Sequence, residues 1–539
     1  MSIFTSIKIP KRRRSNFDLS HEVKLTTEFG RLTPFLCTEV LPGDSWMLST
    51  QLFARMAPMI APIMSQVDIY THFFFVPTRL IWDKWEDFIT GGKDGTATPP
   101  MPSVTMSLLK SKGLLTESSL ADYLGLPILE TRFPKEEVSV LPFRAYAKVW
   151  NDWYRDQNLE AEIDIESESS GLISDLSNTR LYSLQNRAWK KDYFTSALPW
   201  AQRGPDVKLP LDGYTPVQYD NTAGSTRLYA DGQLVDRNSQ VTGDPLVIGR
   251  EGNLVAMGNN KETDITIATE AGIDPRTSAP NINELRRSIR VQEWLEATAR
   301  GGARYIEQIL SHFGVKSSDA RLDRAELLGG GRSPIMVSEV VQTSATDSSL
   351  ESPQGNMAGH GVSAQASHRF KRYFEEHGYI IGILSVMPKA QYSQGLSRMW
   401  SRKDKFDYAW PEFANIGEQE ILNKELYCTP QSDAEEAKLN DVFGYAPRYS
   451  EYKYLPSTIH GSFRSTMAHW HLGRYFVNLP KLNSDFIRCV SKQAGDDNKD
   501  RDLLNRIFAV TGETDHFYIS VFNNITAKRA LPYYGTPTI

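Results

Sequence analysis

The run VDIYTHFFFV at residues 67–76 constrains the fold more than any other part of the sequence. Eight of its ten residues are aromatic or β-branched and Pro77 closes it, so the run predicts a buried strand. Two further strands are predicted at residues 32–40 and 45–55, separated by the turn Leu41-Pro42-Gly43-Asp44. Later strand-like runs lie at residues 335–343, 378–388 and 517–527. The chain is therefore predicted to be mainly β.

Composition supports this prediction and argues against several classes of protein. The 29 prolines are spread through the chain, which suits many short strands. The net charge of −5 argues against a polycation that coats nucleic acid nonspecifically. Three distant cysteines, Cys37, Cys428 and Cys489, do not suggest a disulfide framework and favour assembly in a reducing cytoplasm. No secretory signal opens the chain and its most apolar stretch, residues 379–387, is too short to cross a bilayer, so we expect no membrane insertion.

Helical periodicity lies between the strand-like runs. Residues 80–89 and 143–154 predict amphipathic helices, and two more helices are predicted at 283–301 and 305–313. Tryptophans on the first two helices are interpreted as core residues, although Trp is also common at interfaces; they are Trp82, Trp85, Trp150 and Trp153. The triplet Gly329-Gly330-Gly331 predicts a flexible joint.

The region from about Asp206 to Pro280 differs in composition from the rest of the chain. It is rich in Gly, Asn, Asp and Thr, and loops this long usually project outward or carry function. We therefore divide the chain into four parts. They are a basic arm at residues 1–30, a first β-rich part with helical insertions at 31–205, a surface insertion at 206–280, and further helices and strands at 281–539.

The basic arm is the strongest local signal for ligand binding. Five cations lie within seven positions, with no acidic residue before Asp18. Such a cluster attracts phosphates by counterion release, and an extended arm can follow an irregular single strand of DNA. A solvated tail or a strap between subunits would explain the same pattern. The candidate DNA-binding residues are Lys8, Lys11, Arg12, Arg13 and Arg14.

Catalytic signals are weak. Gly359, Gly361 and Ala364 match the pattern G-x-G-x-x-A, but the preceding segment is not the hydrophobic strand that a dinucleotide site needs. No Walker A, H-E-x-x-H or G-x-S-x-G motif occurs in the sequence. We assign no catalytic residue and expect no enzyme activity and no cofactor.

Three histidines form the only cluster with metal-ligand character, His460, His469 and His471. On a strand, His469 and His471 would place both rings on one face, where a metal could be bridged. No cysteine or obvious carboxylate completes the set nearby, so packing or interface roles are favoured and no metal site is assigned.

Several blocks of the sequence resemble one protein family in the family's own order. FDLSHEVK, TPFLCTEVLPGDSWMLSTQLFARMAPMIAPIM and YTHFFFVPTRLIWDKWEDFITG resemble the opening of microvirus major capsid proteins, most closely those of gokushoviruses. RSIRVQEWLEATARGGARYIEQILSHFGVKSSDARLDRAELLGGGRSPI, followed by VVQTS and SPQGNMAGHG, is similar to the middle of the same proteins. The final third of the chain resembles the family less closely.

The resemblance implies a structural protein of the virion. Its fold would be an eight-stranded antiparallel jelly roll with long, helix-containing insertions between strands. About sixty copies would form a T=1 icosahedral shell around a circular single-stranded DNA genome. The family also implies internal scaffolding and DNA pilot proteins as partners, and a bacterial surface receptor. The insertion at residues 206–280 is the candidate for a protrusion at the threefold axes that contacts the host.

Two other interpretations stay open from the residues alone. A carbohydrate-binding or depolymerising β-sandwich of a phage would also be rich in aromatic residues and polar loops, although no carboxylate pair stands in a recognisable frame. A nonspecific single-stranded DNA-binding protein is disfavoured because the net charge is negative and the basic residues concentrate in one arm.

Overall fold

The structure is a computed structural model. It describes residues 14–128, 136–204, 282–302, 304–314, 316, 318–341, 357–490, 504–510 and 514–534, and also short strands between residues 228 and 266. The chain divides into two compact units, one formed by residues 204–295 and the other by the rest of the chain.

Strands dominate the described part of the chain. They are β1 (Ser15–Asp18), β2 (His21–Thr27), β3 (Thr33–Val40), β4 (Ser45–Met56), β5 (Val67–Pro77), β6 (Ser103–Thr105), β7 (Glu137–Ser139), β8 (Leu172–Ile173), β9 (Leu228–Ala230), β10 (Gln233–Val235), β11 (Leu246–Ile248), β12 (Leu254–Gly258), β13 (Lys261–Thr266), β14 (Glu326–Pro334), β15 (Met336–Val341), β16 (Met357–Tyr373), β17 (Gly378–Pro388), β18 (Glu418–Leu422), β19 (Val442–Pro447) and β20 (Phe517–Arg529). The prediction of a mainly β chain is confirmed.

Helices are mostly short. They are α1 (Trp85–Thr90), α2 (Met106–Ser111), α3 (Leu120–Tyr123), α4 (Leu141–Val149), which a π-helical turn (Trp150–Tyr154) continues, α5 (Ile282–Gly301), α6 (Tyr305–Phe313), α7 (Asn423–Leu426), α8 (Asp433–Glu436), α9 (Ser450–Lys453) and α10 (Ser484–Ile487). Turns of 3-10 helix occur at Thr78–Leu80, Thr179–Tyr182, Asp319–Leu322, Arg398–Trp400, Lys405–Asp407, Pro411–Phe413, Gly461–Arg464, Ala468–Trp470 and Leu504–Ile507.

Two antiparallel sheets form the centre of the larger unit. Sheet I has the strand order β1-β20-β4-β16-β15, and β2 also pairs with β20. Sheet II has the order β14-β5-β17-β3. Smaller sheets are the β18-β19 pair and the set β7-β6-β8. In the unit of residues 204–295, five short strands form the order β10-β9-β13-β12-β11.

The two large sheets share one apolar core. Leu48 and Val521 of sheet I belong to the same buried cluster as Phe73 and Ile380 of sheet II. The rings of Phe73 and Phe370 lie 5.4 Å apart across the two sheets, and Thr71 shares a buried hydrogen bond with His368. The sheets therefore face each other as the two layers of a β-sandwich.

Sheet II is also covered on its other side. Phe74 and Tyr379 belong to a second buried cluster together with Tyr146 and Trp150 of the α4 segment. The Tyr146 hydroxyl donates to the Leu32 carbonyl oxygen at 2.8 Å and fixes this layer at the edge of the sheet. A strand buried on both faces needs apolar residues at nearly every position, which explains the continuous runs in β5 and β17.

The helix predicted at residues 80–89 forms only in part. A 3-10 turn occupies Thr78–Leu80, and α1 begins at Trp85. Trp82 lies between the two, fully buried, where its indole N–H donates to the Ser170 hydroxyl at 3.0 Å. Burying this large ring takes precedence over continuing a regular helix on the surface. The other predicted helices are present as α4 with its π-helical turn, α5 and α6.

The flexible joint predicted at Gly329-Gly330-Gly331 is wrong. These residues belong to β14 and pair with His72 and its neighbours on β5. A Cβ atom on Gly330 would lie 2.5 Å from the Thr71 carbonyl oxygen, and one on Gly331 would overlap the His368 ring. The glycines permit a close approach between sheet strands, because a glycine in a strand leaves room for a neighbouring group.

The first prediction concerns Gly331. His368 is buried, and Thr71 and Ser333 hold its ring nitrogens, so the ring cannot move away from a methyl group. We expect Gly331→Ala to lower the free energy of unfolding by about 1–3 kcal/mol, the usual cost of overpacking. Denaturant unfolding measures the change. Ser338→Ala on exposed β15 is the control, and equal stability of the two variants would contradict the packing argument.

A buried ion pair connects the end of β2 to the start of β20. His516 Nδ1 lies 2.6 Å from a Glu28 carboxylate oxygen, and His516 Nε2 lies 3.0 Å from the Val510 carbonyl oxygen. Both neighbours are acceptors, so the ring satisfies both when each nitrogen carries a proton. Burial alone lowers the pKa of His516, but the hydrogen bond and the charge of Glu28 outweigh burial and raise it above the ordinary value.

The second prediction follows from the sign of this shift. A raised folded-state pKa contributes stability that is fully present below the unfolded value of 6.5 and is lost as pH rises through the folded value. We expect Glu28→Gln to destabilise the chain by about 1–3 kcal/mol near pH 6 and by less at about pH 9. Thermal unfolding at several pH values measures the difference. A deficit that grows with pH would contradict the assignment.

Candidate nucleic-acid interface

The outward side of sheet I is exposed in the described part of the chain. On β4 and β20, buried and outward residues alternate, which is the pattern of a sheet with one face in solvent. We call the outward side chains of four strands the open face. They are Glu22 and Lys24 on β2, Tyr518, Ser520, Phe522, Asn524, Thr526 and Lys528 on β20, Ser45, Met47, Ser49, Gln51, Phe53 and Arg55 on β4, and Arg369, Lys371 and Tyr373 on β16.

Three of the four aromatic rings of the open face lie away from Tyr373, toward its other end. Phe53, Tyr518 and Phe522 are each 41–43% exposed. Arg55 lies opposite Tyr518, and its guanidinium carbon is 5.2 Å from the centre of the Phe53 ring. These rings are thus available for stacking, beside a cation that can approach a phosphate.

Cations prevail on the open face. Arg369 lies opposite Ser49, Lys371 opposite Met47, and Lys528 opposite Ser45, so these three occupy the end that carries Tyr373, away from Phe53 and Tyr518. With Lys24 and Arg55 they make five cations. Among the described residues, the acidic ones on this side are Glu22, whose carboxylate lies 4.0 Å from Lys24 Nζ, Asp18 of β1, and Asp515, which is paired with Arg31 at 3.0 Å and accepts from the Thr26 hydroxyl. The local charge is positive although the whole chain is negative.

The basic arm enters at the cationic end of the open face. Strand β1 pairs with β20, with Ser15 opposite Arg529. Arg14 donates to the Tyr373 hydroxyl at 3.5 Å, and its guanidinium carbon lies 5.5 Å from the centre of that ring. Of the five predicted DNA-binding residues, Arg14 is therefore placed beside the open face. Lys8, Lys11, Arg12 and Arg13 lie outside the described residues, and the role of the arm stays a prediction.

A buried carboxylate fixes this corner of the sheet. Asp44 accepts hydrogen bonds from the Trp46 indole N–H at 3.1 Å and from Arg529 Nε at 3.0 Å. Arg529 also donates to the Glu39 carbonyl oxygen at 3.1 Å. Asp44 ends the predicted turn, where Gly43 has a φ of 87° that favours glycine. Buried polar contacts therefore hold the end of β20, and with it strand β1, at the point where the basic cluster meets the sheet.

His469 and His471, whose spacing would place both rings on one face of a strand, do not lie in a strand. His469 belongs to a 3-10 turn and His471 follows it. The Nε2–H of His471 donates to the Phe463 carbonyl oxygen at 2.8 Å, while Nδ1 accepts from the Gly473 N–H at 2.9 Å. Burial lowers the pKa of His471. Its ring is thus held by backbone groups, and the pair does not have the strand geometry in which both rings would share a face.

His460 lies beside Thr458 and Arg464, at 2.9 Å from the Thr458 hydroxyl. Among the described residues, no group of three or more His, Cys, Asp or Glu side chains is arranged to hold a metal ion. Within the same residues, no helix combines the length and the apolar character needed to cross a bilayer.

The G-x-G-x-x-A pattern lies within a strand. Gly359 and Gly361 belong to β16, where a Cβ atom would press on Ala61 and Met56 respectively. Close packing therefore accounts for these two glycines, and the segment is not a loop that opens a helix as a phosphate site requires.

Sequence reasoning missed the open face. Its aromatic residues were not singled out, because exposed and buried rings look alike in composition. Alternation along the strand could have revealed it. In SWMLSTQLFARM the residues at odd positions lie on one face, so Phe53 and Arg55 share that face with polar residues such as Ser49 and Gln51.

Comparison with known proteins identifies the class. Three bacteriophage proteins, each named capsid protein VP1, match nearly the whole chain. That of Chlamydia phage 1 is 36% identical over 99% of this chain and 97% of its own length. That of Bdellovibrio phage phiMH2K is 38% identical over 90% and 89%, and that of Spiroplasma virus 4 is 31% identical over 99% and 96%.

The family model described as Capsid protein (F protein) matches residues 5–539. The chain belongs to this family, and its relatives are major capsid proteins of microviruses. The resemblance found in the sequence is confirmed. Membership indicates a structural role in the virion, by self-assembly, and not an enzymatic one.

Proposed function

We propose that this chain is the major capsid protein of a microvirus and assembles into a closed T=1 shell, about sixty copies around a circular single-stranded DNA genome. The observation that carries the proposal is the unequal covering of the two sheets. Sheet II is buried on one face by sheet I and on the other by the layer built on α4, whereas the open face of sheet I presents cations and aromatic rings. A shell that encloses DNA needs a surface with cations and aromatic rings on the side that faces the DNA.

The strand order supports a jelly roll. Eight strands taken in chain order, β2, β3, β4, β5, β14, β16, β17 and β20, form two four-stranded layers. One layer has the order first-eighth-third-sixth and the other second-seventh-fourth-fifth, which is the order that two Greek keys wound together produce. The connections from β5 to β14 and from β17 to β20 carry the long insertions.

The open face and the basic arm form the proposed genome-binding surface. Single-stranded DNA is bound without sequence preference by cations that contact phosphates and by rings that stack on bases. Both kinds of group occur on the open face, and the arm leaves from its cationic end. In the assembled shell this face would point to the lumen.

The insertion predicted at residues 206–280 is proposed to contact the host. It falls within the separate compact unit of residues 204–295, which is inserted in the connection from β5 to β14. A unit with its own strands can project without disturbing the sandwich. We also propose scaffolding and DNA pilot proteins as partners, and assembly in the host cytoplasm, because the family resemblance implies them.

The third prediction tests assembly itself. We expect the purified chain, alone or with its scaffolding partner, to form closed particles of uniform diameter in negative-stain electron microscopy. Phage carbohydrate-binding proteins and nonspecific DNA-binding proteins would not form such particles. A chain that stays monomeric under all assembly conditions would refute the proposal.

The fourth prediction distinguishes the contribution of charge to DNA binding from the contribution of base stacking. Arg369→Gln with Lys371→Gln removes two phosphate-binding groups, and we expect the slope of log K against log salt for oligodeoxythymidylate to fall by about 1.4. Phe522→Ser removes a stacking ring and should weaken binding by about 1–3 kcal/mol without changing the slope.

Replacing Lys8, Lys11, Arg12, Arg13 and Arg14 by Gln should reduce both the slope and the DNA content of particles.

The matched control is Lys84→Gln with Lys93→Gln, two exposed lysines near α1 that lie outside sheet I. We expect this pair to bind like the unaltered chain. An effect of the control equal to that of the open-face pair would mean that binding depends on total charge alone, which contradicts a defined surface.

A further inference from the structure

The connection from β17 to β20 exposes an unusual amount of apolar surface. We call six of its residues the aromatic patch: Trp400, Phe406, Tyr408, Trp410, Tyr452 and Leu455. Trp400 is 73% exposed and Leu455 87%, while the other four are 45–54% exposed. Met399 and Ile416 of the same connection are exposed as well. Monomeric soluble proteins seldom leave such a group of residues uncovered.

The aromatic patch is built on a folded base. The base is a separate buried cluster that includes Ile421 and Phe443, together with the β18-β19 pair, and Gln419 of β18 donates at 2.5 Å to Glu451, the ion-pair partner of Arg402. A surface on such a base keeps its shape before a partner arrives, which lowers the entropy lost on binding.

One arginine organises the exposed rings. The Arg402 guanidinium carbon lies 5.1 Å from the centre of the Tyr408 ring and 4.4 Å from that of Tyr452. Glu451 lies 3.7 Å from Arg402 and holds it in place. The indole N–H of Trp410 donates to the Lys405 carbonyl oxygen at 2.8 Å. These contacts fix the orientation of the rings while leaving half of their surface open.

We propose that the aromatic patch is a contact between two copies of this chain. The proposal rests on the assembly function, because a shell must bury surface on every copy. Six residues at these exposures offer on the order of 600 Å², close to the roughly 800 Å² that one partner contributes to a stable interface. Trp, Tyr and Arg are also the residues that most often dominate binding energy at interfaces.

DNA is a less suitable occupant of the aromatic patch. Leu455, Met399 and Ile416 have no ring on which a base could stack. Arg402 is paired with Glu451, so its charge is already balanced within the chain. The aromatic patch and the open face also have no residue in common.

The test uses Leu455→Ser and Trp400→Ser in the full chain. Both side chains are mostly exposed, so the thermal unfolding of the free chain should stay unchanged. The protein concentration needed for particle formation should rise at least about tenfold, as loss of an interface anchor worth about 1.4 kcal/mol or more requires. Leu172→Ser, 52% exposed on β8, is the matched control and should assemble like the unaltered chain.

Normal assembly of both variants would overturn the inference, as would equal defects in the Leu172→Ser control. Particles that form normally but contain less DNA would also overturn it, because the aromatic patch would then bind the genome. If the unaltered chain forms no particles, the proposed function itself fails. Hydroxyl-radical labelling gives a second measurement without substitutions: Trp400 and Leu455 should be protected in particles and labelled in the free chain, and equal labelling would refute the contact.

Discussion

The rest of the structure depends on one packing constraint, namely that the two sheets share a core but only sheet II is covered on its second face. Phe73 of β5 points into the shared core and Phe74, its neighbour, points into the layer built on α4. Alternation along one strand therefore links three layers into one packed unit. Sheet I ends this stack. Its outward residues do not pack against another layer, so they can be charged or have exposed aromatic rings.

This asymmetry relates stability to function. The insertions that make the chain long stabilise the sandwich from one side, because the apolar second face of sheet II would otherwise be exposed to water. Buried polar contacts then fix the edges: Asp44 holds Arg529 and Trp46 at one corner, and Glu28 holds His516 at the junction of β2 and β20. The remaining surfaces are the ones that we propose for contact, with cations on the open face and apolar rings on the aromatic patch. A rigid centre with specialised surfaces is what repeated assembly of one chain requires.

The sequence predicted what strong local patterns determine. Strands β5 and β17 of sheet II were found because burial on both faces makes their sequences continuously apolar, and β3, β4 and β20 were found from strand-like runs. Strand β14 of sheet II was missed, because its glycines were interpreted as a flexible joint. Two predictions were wrong for tertiary reasons: Gly331 is small to admit the His368 ring, and Trp82 interrupts a helix to reach the core. The open face escaped notice because a single residue such as Phe53 does not reveal which side of the sheet its ring occupies. Sheet pairing settles this, and pairing joins residues hundreds of positions apart, such as Phe53 and Ser520.

The orientation of the sandwich within an assembled particle is the central claim that remains to be measured. A particle reconstruction at a resolution that shows side chains would locate both sheets relative to the lumen. We predict that Phe53, Phe522, Arg369 and Lys371 face inward against genome density, with the α4 layer on the outer side of sheet II. A reconstruction in which the open face points to the exterior, or is buried against a neighbouring copy, would contradict this orientation.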